Sequence, residues 1–215
     1  MTIILKIILR IVKGVLALVM LAMQATATQP YHVPEHNEAA LQSGEAITQT
    51  WYNPAQSKGV LNVYGAIQIN AAPEIVWDLM TNCASNFDII KNLVKCEVVE
   101  KDSDGLWDIR KQVFRLGPFL PHVKTHFRSD YVLNENITIQ RVGGDLIIQN
   151  AVWTLNLHKN GATRVSYKAE LKSKLPVPRS LMKRATEQDT PHILRALKTH
   201  AEAAAHATTM KLARP

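Results

Sequence analysis

Asp189 and His192 are the side chains of this sequence best suited to moving protons. An imidazole titrates near neutral pH, and a nearby carboxylate can share in general acid-base catalysis. Both residues fall near the inner boundary of a predicted helix, where an unpartnered polar group would cost several kcal/mol. Each therefore needs a hydrogen bond, a water molecule or a ligand. Tyr131 and Tyr167 are the remaining acid-base candidates, and no catalytic residue is assigned firmly.

His122 and His126 are four residues apart, a spacing that suits a metal ion on one face of a helix. They fall instead in a predicted loop and strand, and no third ligand stands out. We therefore predict no metal site and no cofactor. The sequence also lacks the His-Glu-x-x-His, Gly-x-Ser-x-Gly and glycine-rich phosphate-loop signatures.

A long helix that carries Asp189 and His192 is predicted from Arg179 to about His206, after a break at residues 175–178. Its apolar residues recur at helical spacing and form one inner stripe. Pro191 lies inside the helix, leaves one carbonyl without its donor and is expected to kink it. Residues 207–215 are predicted to be a disordered tail.

The region before this helix alternates apolar and polar residues at a period of two, which is typical of β-strands. A first strand over about 61–69 is followed by two predicted short helices, the first of which begins at Pro73. The alternation then resumes as a meander with turns such as Asn160-Gly161. One apolar face per strand predicts an α+β fold in which a curved antiparallel sheet of about seven strands wraps around the long helix.

Strand parity and the helix stripe predict which side chains face the space between sheet and helix. They are aliphatic and aromatic, so they would line an apolar hollow or fill a solid core, and both alternatives stay open. The predicted ligand-binding residues are Phe127, Tyr131, Ile139, Trp153, Leu155, Tyr167 and Met182. Phe119, which lies in a proline-flanked loop, is predicted to form a lid beside the kinked helix.

The order of strand, two short helices, meander and long helix resembles the START-like helix-grip (SRPBCC) superfamily. The segment from Gly65 to Leu79, in which Pro73 precedes a Val-Trp helix, is similar to the opening of the polyketide cyclase/dehydrase and coenzyme Q-binding family. Residues 96–100 and 161–167 resemble a later strand and hairpin. The resemblance covers about Gly59 to Ala203 and implies a deep cavity for lipids, sterols, quinones, hormones or cyclisation substrates. It implies no fixed catalytic set.

The first 27 residues are predicted to be a secretory signal rather than part of the fold. Three basic residues precede an apolar run from Gly14 to Met23, and Ala25-Thr26-Ala27 is typical of a cleavage site. The run is too short for a bilayer core of about 30 Å, which favours cleavage near Ala27 over an uncleaved N-terminal anchor. We therefore expect an exported, periplasmic protein, with a tethered form as the alternative.

Cys83 and Cys96 are the two cysteines of the chain. In an exported protein an even count fits one disulfide, and two buried free thiols are the alternative. The bond would close a short loop and stabilise the fold by about 3 kcal/mol. The cysteine pair and the N-terminal arm resemble a periplasmic bacterial subset of the family.

Residues 28–58 are interpreted as an N-terminal arm with a possible extra strand over Glu45–Trp51, and residues 59–206 as one domain. The formal net charge is +7, and cleavage would remove three of the positive charges. A mildly basic mature chain does not indicate nucleic-acid binding. The basic excess after Arg164 is interpreted as a solvated helix face or as a surface that contacts anionic lipids.

Three functions fit the sequence. The preferred one is a periplasmic carrier or sequestering protein for a hydrophobic small molecule (a lipid, a quinone or a polyketide-like compound). The second is a cyclase or dehydratase with acid-base residues inside the hollow, which would draw on His192 and Asp189. The third is an interaction module that has a filled core and acts through its arm.

Overall fold

The computed structural model of the protein describes residues 37–53, 56, 59–115, 121–158 and 160–212. The predicted signal segment, the start of the arm and the predicted lid residue Phe119 lie outside the described residues. In the described part of the chain, no helix is long and apolar enough to cross a membrane.

Four helices and eight strands make up the described residues. The helices are α1 (Glu38–Gln42), α2 (Pro73–Thr81), α3 (Cys83–Ile89) and α4 (Arg179–Leu212). The strands are β1 (Ile47–Tyr52), β2 (Leu61–Ile69), β3 (Leu93–Lys101), β4 (Trp107–Phe114), β5 (Val123–Val132), β6 (Asn136–Gly144), β7 (Leu146–Leu157) and β8 (Thr163–Ser173).

All eight strands form one antiparallel sheet in the order β1-β2-β8-β7-β6-β5-β4-β3. The weak alternation over Glu45–Trp51 corresponds to β1, which pairs with β2 at one edge of the sheet. The predicted α+β helix-grip architecture is confirmed, and β1 brings the sheet to eight strands where about seven are predicted. The two short helices consequently follow the second strand of the sheet.

Local irregularities of pairing occur where the sheet must bend. The register shifts between His126 and Phe127 on β5, and again near the start of β7. Such bulges increase twist and turn a flat sheet into a curved one. Gly144, with a φ of +86°, allows the tight passage from β6 to β7, because a Cβ there would lie 2.4 Å from the carbonyl oxygen of Lys124.

Helix α4 packs on one side of the sheet, chiefly against β2 and β1, and also contacts α2 and α3. Gly65 in β2 permits this close approach, since a Cβ there would meet Leu194 at 3.0 Å and Thr190 at 3.2 Å. All nine residues of β2 are buried. Successive side chains point to opposite faces, so α4 covers only those on the inner face. The core therefore lies beneath the β2 end of the sheet, where its apolar residues meet the helix.

Two hydrogen bonds hold the ends of α4 in this position. The Tyr52 hydroxyl at the end of β1 donates to the carbonyl oxygen of Arg179 at 2.9 Å, at the start of the helix. The Asn70 backbone N–H donates to Glu202 Oε1 at 2.9 Å, near the far end. The helix is thus fixed along its length over the β1–β2 edge of the sheet.

The ends of two helices differ from the sequence prediction. Helix α4 continues to Leu212 rather than ending near His206, because alanines and the absence of glycine or proline before Pro215 favour another turn and a half. Helix α3, which the apolar spacing predicts over Ser85–Leu93, starts at Cys83 because Asn82 Oδ1 accepts a hydrogen bond from the Ala84 N–H at 2.8 Å and so caps it.

A disulfide joins Cys83, at the start of α3, to Cys96 in β3, with a Cα–Cα distance of 5.5 Å. The loop that it closes contains all of α3 and the turn that leads into the edge strand. Gln112 of the neighbouring strand β4 donates a hydrogen bond to Cys96 Sγ at 3.7 Å. The disulfide therefore ties α3 to the edge of the sheet opposite β1.

Replacing both cysteines (Cys83→Ala with Cys96→Ala) is expected to lower the free energy of unfolding by about 3 kcal/mol, because the unfolded chain regains the freedom of the closed loop. Denaturant unfolding of the oxidised protein, the reduced protein and the double variant measures this loss. Reduction should destabilise the wild type by a similar amount and leave the variant unchanged. Equal stability of the oxidised and reduced wild type would contradict the prediction.

Candidate ligand-binding site

A cavity of about 480 Å³ lies between the inner face of β4–β8 and the N-terminal half of α4. It is partly open to solvent, and α3 with the turn after it forms one of its walls. The volume falls within the range of small-molecule sites in proteins. The cavity exists because α4 makes its closest sheet contacts on β1 and β2, so its N-terminal half stands away from the inner face of β4–β8.

Four residues that line the cavity are also solvent-exposed, and they define its mouth: Lys91, Leu181, Gln188 and His192. Three of them belong to α4, and Lys91 lies in the turn between α3 and β3. The mouth therefore lies between α4 and the segment formed by α3 and the turn after it, which the disulfide ties to the sheet.

The side of the cavity formed by β6, β7, β8 and α4 is largely apolar. It includes Ile139, Trp153, Tyr167 and Met182. Trp153 and Tyr167 are cross-strand partners, and their rings stack with centroids 4.2 Å apart. Burial raises the pKa of Tyr167 to about 12, so its phenol is neutral at physiological pH. This wall offers aromatic and aliphatic surface without charge.

The side formed by β4 and β5 is polar and contains a buried ion pair. Arg110 Nη2 lies 2.6 Å from Asp108 Oδ2, and Arg110 Nε donates to both carboxylate oxygens at 2.9 Å. Arg110 also donates to the Tyr131 hydroxyl at 2.8 Å and to the Thr81 carbonyl oxygen at 2.6 Å. The Tyr131 hydroxyl donates in turn to Asp108 Oδ2 at 2.7 Å. Arg110 and Tyr131 line the cavity.

The surroundings fix the protonation of this network. Burial lowers the pKa of Arg110, but its bonds to Asp108 and Tyr131 act in the opposite direction and leave it above its ordinary value. Burial raises the pKa of Tyr131 well above its usual range, against the opposing charge of Arg110. A charged guanidinium and a neutral phenol are consequently present at neutral pH. The network suits hydrogen bonding to a bound molecule better than proton transfer.

Asp108 and Arg110 were not predicted as site residues. Three polar residues of β4 are buried, and they are Asp108, Arg110 and Gln112, at 6%, 5% and 7% exposure. The alternation of apolar and polar residues along a strand would instead place polar residues on the solvent-facing side. The pairing of Arg110 with Phe127 supplies the missing signal. Cross-strand partners share a face, so an inward Phe127 places Arg110 inward too.

Asp189 and His192, the predicted acid-base candidates, lie one turn apart on α4 and line the cavity at its mouth. His192 is exposed and Asp189 is half-buried. Burial raises the pKa of Asp189, against the opposing charges of His192 and Lys91. The pair therefore stands near solvent, away from the aromatic wall. Among the described residues, no three His, Cys, Asp or Glu side chains could together hold a metal ion.

Six of the predicted ligand-binding residues line the cavity: Phe127, Tyr131, Ile139, Trp153, Tyr167 and Met182. Leu155, by contrast, is 4% exposed and belongs to the core cluster beneath the helix. It has the expected parity on β7, but α2 covers that end of the strand and Val76 and Trp77 fill the space beside it. The predicted lid residue Phe119 lies outside the described residues.

Replacing Asp108 by asparagine is expected to lower the free energy of unfolding by about 3 kcal/mol or more, because Arg110 keeps a buried charge without its counter-charge. Arg128 and Asp130 provide a matched control, with the same spacing on the next strand but about 40% exposed side chains (38% and 41%). Asp130→Asn should cost less than about 1 kcal/mol. Denaturant unfolding measures both variants, and equal losses would contradict the prediction.

A family model described as polyketide cyclase / dehydrase and lipid transport matches residues 69–198. A search of curated proteins found no match. Among solved structures, a START superfamily protein from Mycobacterium smegmatis shares 15% identity at a TM-score of 0.57, with 66% of this chain and 98% of that chain covered.

Two further structures show the same likeness. The Zhui aromatase/cyclase from a Streptomyces species has 12% identity and a TM-score of 0.58, over 66% of this chain and 94% of that one. The lipid transfer and protein localization domain of human StarD13 has 10% identity and a TM-score of 0.57, over 77% and 94%. These identities establish the fold alone. The family match spans more than half of the chain, which therefore belongs to the polyketide cyclase/dehydrase and lipid transport family.

Proposed function

We propose that the protein is a periplasmic carrier or sequestering protein for a hydrophobic small molecule, such as a lipid, a quinone or a polyketide-like compound. Membership of the family suggests hydrophobic ligand binding. The observation that carries the proposal is the partly open cavity of about 480 Å³. Burial of a ligand's apolar surface against its aromatic and aliphatic wall would stabilise the complex by roughly 25 cal/mol for each Å² removed from water.

The state of the polar groups favours a carrier over an enzyme. Tyr131 and Tyr167 hold their protons at neutral pH because burial raises the pKa of each phenol. Asp108 and Arg110 form an ion pair with one another. General acid-base catalysis requires a group that exchanges a proton near the working pH, and neither of these buried phenols does so.

A cyclase or dehydratase activity is the second candidate, and the geometry of Asp189 supports it. This carboxyl lines the cavity, has a raised pKa and lies beside His192. A substrate that reached from the aromatic wall to the mouth would bring both groups into play. The third alternative, an interaction module with a filled core, is disfavoured by the size of the cavity.

Export to the periplasm belongs to the same proposal. The apolar run before Ala27 and the small residues at the cleavage site support it. The Cys83–Cys96 disulfide is suited to an oxidising compartment. Peripheral contact with an anionic membrane is also proposed, since exposed Leu181 and Lys91 at the mouth would present apolar and cationic groups to a lipid surface.

Filling the cavity should weaken ligand binding without unfolding the protein. Ala185 lines the cavity on α4, so Ala185→Phe places a ring in the space a ligand would use. Affinity for phenylnaphthylamine, an apolar fluorescent probe, is expected to fall about tenfold or more, a change of about 1.4 kcal/mol. Ala203→Phe, on the exposed face of the same helix, is the control and should bind as the wild type does. Equal binding by both variants would overturn the proposed site.

The proposed export is tested by the mass of the mature protein. Bacterial cells that express the whole chain are expected to release, on osmotic shock, a protein that begins at Thr28 and carries one disulfide. Ala27→Arg should block processing and leave the full-length chain in the membrane fraction. A full-length wild-type chain in the membrane fraction would instead favour the tethered alternative, and one in the cytosol would contradict export.

A further inference from the structure

Two cavity-lining side chains have a hydrogen-bonding atom that is buried and has no partner. They are Thr125, through Oγ1, and Gln149, through Oε1. Thr125 is 5% exposed, so its hydroxyl does not form a hydrogen bond with bulk water either. Because nearly all buried polar groups in proteins are hydrogen-bonded, an orphan that borders a cavity points to a partner held in that cavity.

The two residues lie on neighbouring parts of the sheet. Thr125 belongs to β5 and Gln149 to β7, and β6 is the single strand between these two. Thr125 pairs with Gly144, where β6 turns into β7, and Gln149 follows shortly after that turn.

The charges around the cavity limit what the two residues could bind. Arg110 and Asp108 neutralise one another at 2.6 Å. Lys91, Asp189 and His192 lie at or beside the mouth. A ligand carboxylate against Thr125 and Gln149 would therefore be buried without a free counter-charge, which is strongly unfavourable. An uncharged group meets no such obstacle.

We propose that Thr125 and Gln149 form a head-group subsite for a neutral, hydroxyl-bearing amphiphile. A ligand hydroxyl can accept from the Thr125 hydroxyl or donate to the Gln149 carbonyl oxygen, and a group with two hydroxyls can serve each residue separately. The hydrocarbon part lies against Ile139, Trp153 and Met182. The inference rests on the proposed ligand-binding function and names the class of ligand for the same cavity.

The proposal is tested with decanol, decanoate and decane, which share one chain length and differ in head group. Displacement of phenylnaphthylamine measures the affinity of each. The wild type is expected to bind decanol about five- to tenfold more tightly than decane, as one added hydrogen bond predicts. At neutral pH it should also bind decanol more tightly than decanoate.

Thr125→Val removes the hydroxyl and keeps the shape of the side chain. The preference for decanol over decane should then fall to about twofold or less, while the affinity for decane stays unchanged. Thr50 offers a matched control, because its Oγ1 is also buried without a partner, at 8% exposure, but it does not line the cavity. Thr50→Val should keep the full preference. Gln149→Met is a second variant, for use if Thr125→Val does not fold. It is also expected to reduce the preference for decanol over decane.

The outcomes separate the two proposals. Equal affinities of the wild type for decanol and decane, tighter binding of decanoate, or the same preference in Thr125→Val and Thr50→Val would overturn the head-group subsite. Binding of decane with phenylnaphthylamine displacement would still support the cavity as an apolar site. If none of the probes bound, the proposed function would fail, and the subsite with it.

Discussion

The close packing of α4 on β2 at Gly65 is the constraint on which the other features depend. A Cβ at this position would lie only 3.0 Å from Leu194 and 3.2 Å from Thr190, so glycine allows the helix to pack closely on this side of the sheet. Tyr52 and Glu202 then hold the two ends of the helix over the β1–β2 edge. A single helix that packs on β1 and β2 cannot cover the whole inner face of a curved eight-stranded sheet. The space between the helix and the remaining strands becomes the cavity.

Two groups of polar residues lie at or beside the cavity. Asp108, Arg110 and Tyr131 satisfy one another in a closed network at the β4–β5 side. Thr125 and Gln149 remain open. The first group sets a neutral electrostatic environment in which the second can recognise a ligand. Apolar wall, neutralised charges and open hydrogen-bonding groups together describe a site for an amphiphile rather than for an ion.

Much of the architecture could be predicted because it is encoded locally. Alternating residues and turn pairs such as Asn160-Gly161 define the strands of the meander, and the break before Arg179 marks the long helix. The inward position of Arg110 could not be predicted from β4 alone, since it depends on register with β5. Leu155 shows the same limit, because α2 decides whether its face meets core or cavity. Whether a covered face encloses space depends on where the helix rests, which Gly65 determines through a tertiary contact.

Methyl-resolved NMR during titration with decanol tests the central claim that an unfilled, accessible space lies between α4 and the inner sheet. The account predicts that the methyl groups of Ile139 and Met182, which line the cavity, shift in a saturable manner. Leu41 in α1 and Ile69 in β2, which are fully buried and do not line the cavity, should barely respond. If no methyl group moved, or if all of them shifted to the same extent, no preformed cavity would be present and the account would be contradicted.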